Sequence, residues 1–587
     1  MYVARCNKIL APASPSLFLA HLRYTVFMLP LVSAQQMRSL DAHTIERLGV
    51  PGAVLMENAA RGVVQVLWRL QSRGLFDLYR SRVHILAGPG NNGGDGMVIA
   101  RYLHGRGIAT RLHLCAERSR LRGDALLHFH AALESGVPVG YCADEESLTA
   151  LGAALQQLGP DALIVDALFG TGLSKSLRGP MAQLVHAING SCARRLAVDL
   201  PSGLDADRGP PTDHEAEAPA AIVRADHTVT FGFPKLGLVS APGFTWAGEV
   251  FVVDIGIPEA LVGAYEVRAR LLDTRCLLRL TQPRHTLGHK GTHGHLLIVA
   301  GSLGKLGAAI LATRAALRSG VGLCTLAAPS EAVAQGLGAA VLEAMSLPYS
   351  LPQEALPTTL DDLRATWLRA AHDKEAIAIG PGLPVNPLVG AALLSLIENG
   401  DSKMVLDADA LNQLVGLDGH LLRAASRGRE LVLTPHPGEA ARLLGCTVRQ
   451  VQEDRIGAAR RLCQRTGAVV LLKGARTLVV APAADGNQSA GPLSVCPTGS
   501  AAMGTGGMGD VLTGILGALL ASGWPAYDAA CAAAYWHGLA ADGLSAARSS
   551  NSLLCASEVI DALEPARRQA ELSWPIDPNA DWPLHRI

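Results

Sequence analysis

Twice along this chain, short runs rich in Val, Ile and Leu alternate with longer helix-forming runs, and glycine clusters punctuate the junctions. That alternation constrains the fold more than any other feature. It excludes a helical bundle and a β-sandwich, and calls for an α/β architecture with mostly parallel, doubly wound sheets. In the first half, residues 83–87, 110–115, 163–167, 196–200, 227–231 and 250–255 read as strands, and 94–104, 121–133 and 181–188 as crossover helices. In the second half, 295–300, 323–327, 376–379, 404–406, 431–433, 469–472 and 477–480 read as strands. The helices there fit 308–318, 391–397, 437–444, 451–465, 511–521 and 526–544, and 348–357 and 481–492 read as loops. A length of 587 residues accommodates two large domains of this kind, with a boundary between 258 and 285.

Composition removes several function classes. The 51 basic and 51 acidic residues cancel, so no anionic macromolecule is implied: neither nucleic acid nor a membrane surface is an expected partner. The 11 cysteines form no CxxC pair and read as thiols of a reducing compartment. A cytoplasmic location and a homo-oligomer are expected. Residues 1–33 weakly imitate a signal peptide, but Arg23 interrupts the apolar run and Met28 is an in-frame start; the segment is expected to be a disordered extension.

In doubly wound sheets, ligands gather beyond the carboxyl ends of the strands. Three informative segments of the first half fall there. Gly88-Pro89-Gly90-Asn91-Asn92-Gly93-Gly94-Asp95-Gly96 contains G-x-G-x-x-G, which on its own suggests a dinucleotide pyrophosphate, with Glu117 placed for a ribose. Asp166-Ala167-Leu168-Phe169-Gly170-Thr171-Gly172-Leu173-Ser174 and Asp199-Leu200-Pro201-Ser202-Gly203-Leu204-Asp205 each put a carboxylate at a strand end before a glycine turn. Such acids either brace turns or do chemistry. The oxygen set Asn92, Asp166 and Ser202 suits a hard cation.

The second half carries Thr498-Gly499-Ser500-Ala501-Ala502-Met503-Gly504-Thr505-Gly506-Gly507-Met508-Gly509-Asp510 just ahead of an apolar helical run. Glycines let backbone N–H groups converge on an anion, and a helix N-terminus adds positive potential. An aspartate at the mouth of that cradle suits proton removal from a hydroxyl beside a phosphate. Asp407 and Asp409 either cap a helix or serve the site. His285, His289, His293 and His295 have no carboxylate or thiol at ligand spacing, so zinc is not expected. Lys305 does not complete a P-loop.

On these motifs, with Met56-Glu57-Asn58-Ala59-Ala60, the first half resembles the NAD(P)H-hydrate epimerase family, of Rossmann-like fold. The second resembles the ADP-dependent NAD(P)H-hydrate dehydratases, of ribokinase-like α/β/α fold. Its carriers are His289-Lys290-Gly291-Thr292-His293-Gly294-His295, Leu406-Asp407-Ala408-Asp409-Ala410-Leu411-Asn412, Thr434-Pro435-His436-Pro437-Gly438-Glu439, Leu472-Lys473-Gly474-Ala475 and the 503–512 segment. The resemblance implies an extension at 1–33, an epimerase domain at 34–260, a dehydratase domain at 275–570 and a tail at 571–587.

It also implies roles. Asn91, Asn92, Gly93, Gly94, Asp95, Gly170, Thr171, Gly172, Leu173, Ser174, Lys175, Ser176 and Asp199 would hold hydrated NADH or NADPH, and Asp199 would be the general base. Asn92, Asp166 and Ser202 would bind K⁺. In the second half Gly382, His436 and Asp510 would contact the hydrate, with Asp510 as base. Lys473, Gly474, Ala475, Arg476, Thr477, Gly506, Gly507 and Gly509 would hold ADP, accompanied by Mg²⁺. The Thr498-Gly499-Ser500 turn departs from the usual pattern of that family. Two other readings remain open at this stage: a small-alcohol kinase fused to a Rossmann domain, and a first half that binds nucleotide without catalysis.

Overall fold

The computed structural model describes residues 28–173, 175–211, 220–349, 359–416, 422–423, 429–483, 491–548, 552–572 and 584–586. The first half builds a sheet from β2 (Val83–Ala87), β3 (Thr110–Leu114), β4 (Val139–Tyr141), β5 (Leu163–Ala167), β6 (Arg194–Val198), β7 (His227–Phe231) and β8 (Glu249–Val253), in the order β8-β7-β6-β5-β2-β3-β4. All neighbours in that order are parallel. The order reverses between β5 and β2, which makes a crevice beyond their carboxyl ends. Strands β5 and β7 are buried at every position, as a sheet covered on both faces requires.

The second half forms a larger sheet. Its parallel body is β12 (Met345–Pro348), β11 (Leu323–Ala328), β10 (His295–Val299), β13 (Ala376–Ile379), β14 (Lys403–Leu406), β15 (Leu431–Leu433) and β16 (Val469–Leu472). Strands β17 (Leu478–Val480) and β18 (Leu493–Val495) extend it antiparallel. The apolar helix Met508–Ala521 covers the centre and is buried along nearly its whole length. Both sheets therefore match the α/β class expected from the alternation. The expected helix at 451–465 is two helices, Val448–Glu453 and Arg455–Thr466. Asp454 breaks the run by turning its carboxylate back onto the Gly457 N–H at 2.9 Å.

The halves are joined at one edge. Strand β9 (Ala269–Leu271) runs parallel beside β18, and β1 (Leu29–Leu31) lies antiparallel on β9. Residues 29–33 were expected inside a disordered extension. Instead they form β1 and the Ser33 cap of helix Ala34–Glu46, because Leu31 and Val32 are fully buried and Ser33 closes a capping box with Gln36. Residues 1–27 lie outside the described residues. At the other edge of the first sheet, β19 (Leu584–Arg586), from the expected tail, pairs antiparallel with β8. A single apolar core spans Leu31, Leu200, Leu236 and Val250 of the first half and Leu297, Ile377 and Leu406 of the second. Parts of the expected loops, 350–357 and 484–490, lie outside the described residues. Among the described residues, no helix is long and apolar enough to cross a membrane.

Candidate active sites

In the first half, the turn after β2 folds tightly. A Cβ on Gly93 would stand 1.9 Å from the Gly88 carbonyl oxygen, and one on Gly88 would stand 2.0 Å from that of Leu168. Glycine is required at both, and the turn is thereby pressed against the loop after β5. The helix Asn91–His104 starts within the turn, so its N-terminal N–H groups face the crevice. Asn92 packs beside Gly170, where an added Cβ would meet its Cγ at 3.3 Å. Both amide atoms of Asn92 are buried and unpartnered among the described residues.

Asp166 is fully buried at the end of β5. It accepts the Ser202 backbone N–H at 2.8 Å, the Ser202 hydroxyl at 2.6 Å and the Leu168 N–H at 3.2 Å. Burial pushes its carboxyl up to about 6 despite those hydrogen bonds. Gly170 and Thr171 are half-buried, Gly172 and Lys175 are exposed on the rim, and Ser174 lies outside the described residues. Asp205, by contrast, braces its own turn, accepting the N–H groups of Asp207 and Arg208 at 2.8 and 2.9 Å. Glu117 is exposed and accepts the Ser119 hydroxyl at 3.2 Å, while Glu57 is engaged by Arg101 at 2.7 Å.

Asp199 ends β6 with φ 65°, a left-handed conformation that costs a non-glycine residue on the order of 1 kcal/mol or more. The turn aims its carboxylate across the sheet at Lys235. The Lys235 ammonium donates to Asp199 Oδ1 at 2.5 Å, to the Thr230 hydroxyl at 3.1 Å and to the Phe231 carbonyl at 3.1 Å. Lys235 is 1% exposed, so the pair is dry and mutually compensating. The motif reading missed Lys235. Its signal was positional: it follows β7 as the three recognised loops follow β2, β5 and β6. Asp41, on helix Ala34–Glu46, also belongs to this neighbourhood; burial and Asp199 raise its carboxyl to about 6 while Lys235 opposes them.

In the second half, Gly507 (φ 90°) starts the helix Met508–Ala521. A Cβ there would strike Leu311 Cδ1 at 2.7 Å, so glycine is required, while Gly506 faces open space. Asp510 lies in the first turn. Burial and the neighbouring Asp407 push its carboxyl up to about 6, against the pull of Lys473. Asp407 opens the helix Ala408–Gln413 but makes no side-chain cap. Its oxygens instead accept Lys473 Nζ at 2.6 Å and the Thr513 hydroxyl at 2.6 Å. Of the two readings left open for Asp407, capping is the one its contacts do not support. Lys473 also stands 3.9 Å from Glu439, whose other bond is to the His436 N–H at 2.7 Å.

Around this centre, His436 caps its helix through Nδ1, which accepts the Gly438 N–H at 2.9 Å; its Nε2 lies 3.4 Å from Glu439 Oε1, and the side chain is half exposed. Gly382 (φ 63°) accepts the Ser302 hydroxyl at 2.8 Å. Lys305 pairs with Asp409 at 3.2 Å. Gly474 and Ala475 are exposed, and Thr477 closes the turn onto the Gly474 carbonyl at 2.9 Å. The Arg476 guanidinium stacks on Phe244 of the first half, 4.9 Å from the ring centroid. The Thr498-Gly499-Ser500 turn is tied to the helix Ala526–Ala546, with the Gly499 N–H on Asp542 at 2.9 Å and the Thr498 hydroxyl on the Tyr535 carbonyl at 2.9 Å. Of the four histidines, His285 Nδ1 accepts the Leu287 N–H, His289 Nδ1 accepts the Gly291 N–H and His295 Nε2 meets the Thr325 hydroxyl.

Two α/β domains, each with a carboxylate at the mouth of a glycine-lined helix N-terminus, define a two-site enzyme. Residues 52–237 match the family model described as YjeF-related protein N-terminus, and 296–563 match that described as NAD(P)H-hydrate dehydratase. The bifunctional NAD(P)H-hydrate repair enzyme Nnr of Moorella thermoacetica is 38% identical over 92% of this chain and 97% of its own length. Its Escherichia coli counterpart is 36% identical over 82% and 84%. A Bacillus subtilis ADP/ATP-dependent NAD(P)H-hydrate dehydratase, co-crystallised with ATP and Mg²⁺, is 32% identical, covering 50% of this chain and 96% of its own, with a TM-score of 0.41. The chain belongs to the bifunctional NAD(P)H-hydrate repair enzymes, with the epimerase domain first and the dehydratase domain second.

Proposed function

We propose that the two sites act in sequence on hydrated NADH and NADPH. The first interconverts the R and S hydrates. The second moves the terminal phosphoryl group of ADP to the hydroxyl of the S hydrate; phosphate then leaves with the C–O bond pair while the neighbouring carbon loses its proton to water or the departing phosphate and the C–H pair reforms the C=C bond, giving NAD(P)H, AMP and phosphate. Phosphate is a far better leaving group than hydroxide, which is why a dehydratase consumes a nucleotide. In the second site, Gly506, Gly507 and Gly509 offer backbone N–H groups to the migrating phosphoryl, Asp510 takes the hydroxyl proton, and His436 and Gly382 face the hydrate. Lys473 to Thr477 form the nucleotide side, Lys473 acting from beneath through its pair with Asp407. The observation that carries this reading is the half-buried Asp510 carboxylate in the first turn of a glycine-started helix, tuned to about 6.

In the first site, Asp199 is the base, and residues 91–95 and 170–176 hold the substrate. The unpartnered Asn92 amide beside Gly170, together with the buried Asp166 and Ser202, fits an oxygen-seeking ion, so these three would hold K⁺. The cation supplies fixed positive charge near the substrate's oxygen. Mg²⁺ would enter with the nucleotide phosphates, since among the described residues no group of three His, Cys, Asp or Glu could hold a metal by itself. A homo-oligomeric state and a cytoplasmic location belong to the same reading and are checked by light scattering and cell fractionation. The central test follows racemic NADH hydrate with ADP: the intact protein consumes both epimers, releasing AMP in step with NADH. Asp199→Ala stalls once the S form is spent. A stable phosphorylated alcohol as end product would point instead to a kinase.

A further inference from the structure

Asp95 is a buried acid that the mechanism so far leaves without chemistry. It sits in the second turn of the helix Asn91–His104 and is 7% exposed. No hydrogen bond or ion pair satisfies its carboxyl among the described residues; the charged groups that face it are Asp199, Asp41 and Lys235. Asp95 and Asp41 thus feel the charge of a single ammonium, and that ammonium already donates to Asp199 at 2.5 Å. If all three were ionised, the cluster would hold two uncompensated negative charges away from water, an arrangement buried sites avoid by retaining protons. Asp41 likewise has no hydrogen-bond or ion-pair partner among the described residues, but it is only partly buried. Asp95 is the deepest of the three, so the retained proton is assigned to it, where burial first, then Asp199 and Asp41, push its carboxyl well above the ordinary range.

Epimerisation through ring opening needs an ionised and a neutral acid at once. The substrate carries a hydroxyl and a ring nitrogen on the same carbon. Opening removes the hydroxyl proton, forms C=O, and breaks the C–N bond with its electron pair going to nitrogen, which must gain a proton. Rotation then exposes the other carbonyl face, and reclosure runs every transfer backwards. Nothing is oxidised, and no proton is gained or lost overall.

We propose that Asp95 is the proton donor of the epimerase site, giving its proton to the ring nitrogen as Asp199 receives the one from the hydroxyl, with Asp41 and Lys235 as positioning residues that keep the two acids in opposite states. The exchange moves one negative charge from Asp199 to Asp95 within a cluster whose total charge never changes. That is how a dry pocket accommodates it without a solvent shell. This rests on the reading of Asp199 as base.

The test uses the full-length chain with K⁺ and purified (R)-NADH hydrate, following the epimer ratio by chromatography between pH 5 and pH 9, with spontaneous epimerisation subtracted. Asp95→Asn is expected to lower kcat by about 100-fold or more with KM within about threefold, and Asp95→Glu to recover at least about a tenth of the wild-type rate. The bell-shaped profile of the wild type should lose its alkaline limb in Asp95→Asn. Asp41→Asn, on a different helix, should shift that limb with a fall in kcat of about tenfold or less. A normal kcat in Asp95→Asn, a loss confined to KM, or a limb unmoved in both variants overturns the donor role. Should Asp95→Asn fail to fold, the Asp41→Asn and Asp95→Glu profiles decide. Asp199→Asn separates the two layers: if it turns over normally, the base assignment has failed; if it is inactive while Asp95→Asn is normal, only the donor proposal has.

Discussion

Each half buries one lysine beneath its chemistry, and the two lysines are used differently. In the epimerase domain, Lys235 clasps Asp199 itself at 2.5 Å. In the dehydratase domain, Lys473 clasps Asp407 at 2.6 Å, and the expected base, Asp510, stands aside in the first turn of its helix. The first arrangement ties Asp199 into a buried ion pair and leaves a neighbouring acid, Asp95, outside it. In the second, burial and repulsion from Asp407 push the base's carboxyl up to about 6 against the attraction of Lys473. An isomerisation must return every proton it takes, and suits paired acids. A phosphoryl transfer must shed one proton, and suits a single base whose affinity for it is raised toward the working pH.

The comparison breaks most decisively at Asp510. Asp510→Asn keeps the shape and removes the acceptor. Dehydratase kcat is expected to fall by about 10²–10⁴-fold, with hydrate binding and epimerase rate unchanged. Steady-state assays of the two activities on one preparation check this; dehydratase turnover near wild type removes Asp510 as the base. The same variant has a smaller signature in stability. The folded form holds this proton up to about pH 6, whereas the unfolded chain releases it at 3.8. Folding therefore takes up a proton in that window, and stability from this group declines as pH rises through it. At pH 7 the neutral amide should raise the unfolding free energy by roughly 3 kcal/mol, read as a higher Tm of the dehydratase transition.

Lys473→Met tests the other side of the comparison. It leaves Asp407 and Glu439 buried around no cation, a change expected to cost about 3–5 kcal/mol. Thermal unfolding should show a destabilised dehydratase half. The surviving enzyme's acid limb should move to higher pH, because Asp510 loses its one attractive neighbour. A limb that stays in place would mean that Asp510 does not sense Lys473. In the wild type, dehydratase kcat/KM should fall about tenfold per pH unit below about 6, as Asp510 takes up its proton.

The strand-end loops were legible in the sequence because their glycines answer to local geometry. Gly88 and Gly93 are demanded by backbone contacts of about 2 Å, and glycine clusters at the ends of β-branched runs advertise such contacts. Asp166 and Ser202 were legible for the same reason. What was not legible is pairing through space. Lys235 reaches Asp199 across the sheet, over a separation of 36 residues that follows no motif spacing. Asp41 enters on a helix whose position depends on β1, a Leu-Pro-Leu strand too short to declare itself. Asp407 lay open between cap and site because an aspartate before a helix has the same local pattern either way. Its partners Lys473, 66 residues on, and Thr513, 106 residues on, distinguish them.

The smallest expected effect concerns the seam between the halves. Arg476 was read as a nucleotide contact, and its φ of 52° shows that the turn holds an unfavourable conformation to place it. Its guanidinium stacks on Phe244, a residue of the epimerase half, at 4.9 Å. The neighbouring Thr477 and Gly474 close the exposed loop expected to hold ADP. The epimerase half therefore contributes one wall to the nucleotide loop of its partner domain. Phe244→Ala removes the ring and frees the arginine; a stack of this kind contributes about 0.5–1 kcal/mol, so the KM for ADP should change by about two- to fivefold while dehydratase kcat holds. The epimerase rate should stay unchanged, since among the described residues no hydrogen bond or ring contact joins Phe244 to Asp199, Lys235 or Thr230. An unchanged KM would make the stack a fastening of the two domains alone. A change in kcat would mean that the loop moves during turnover and that the first domain restrains it.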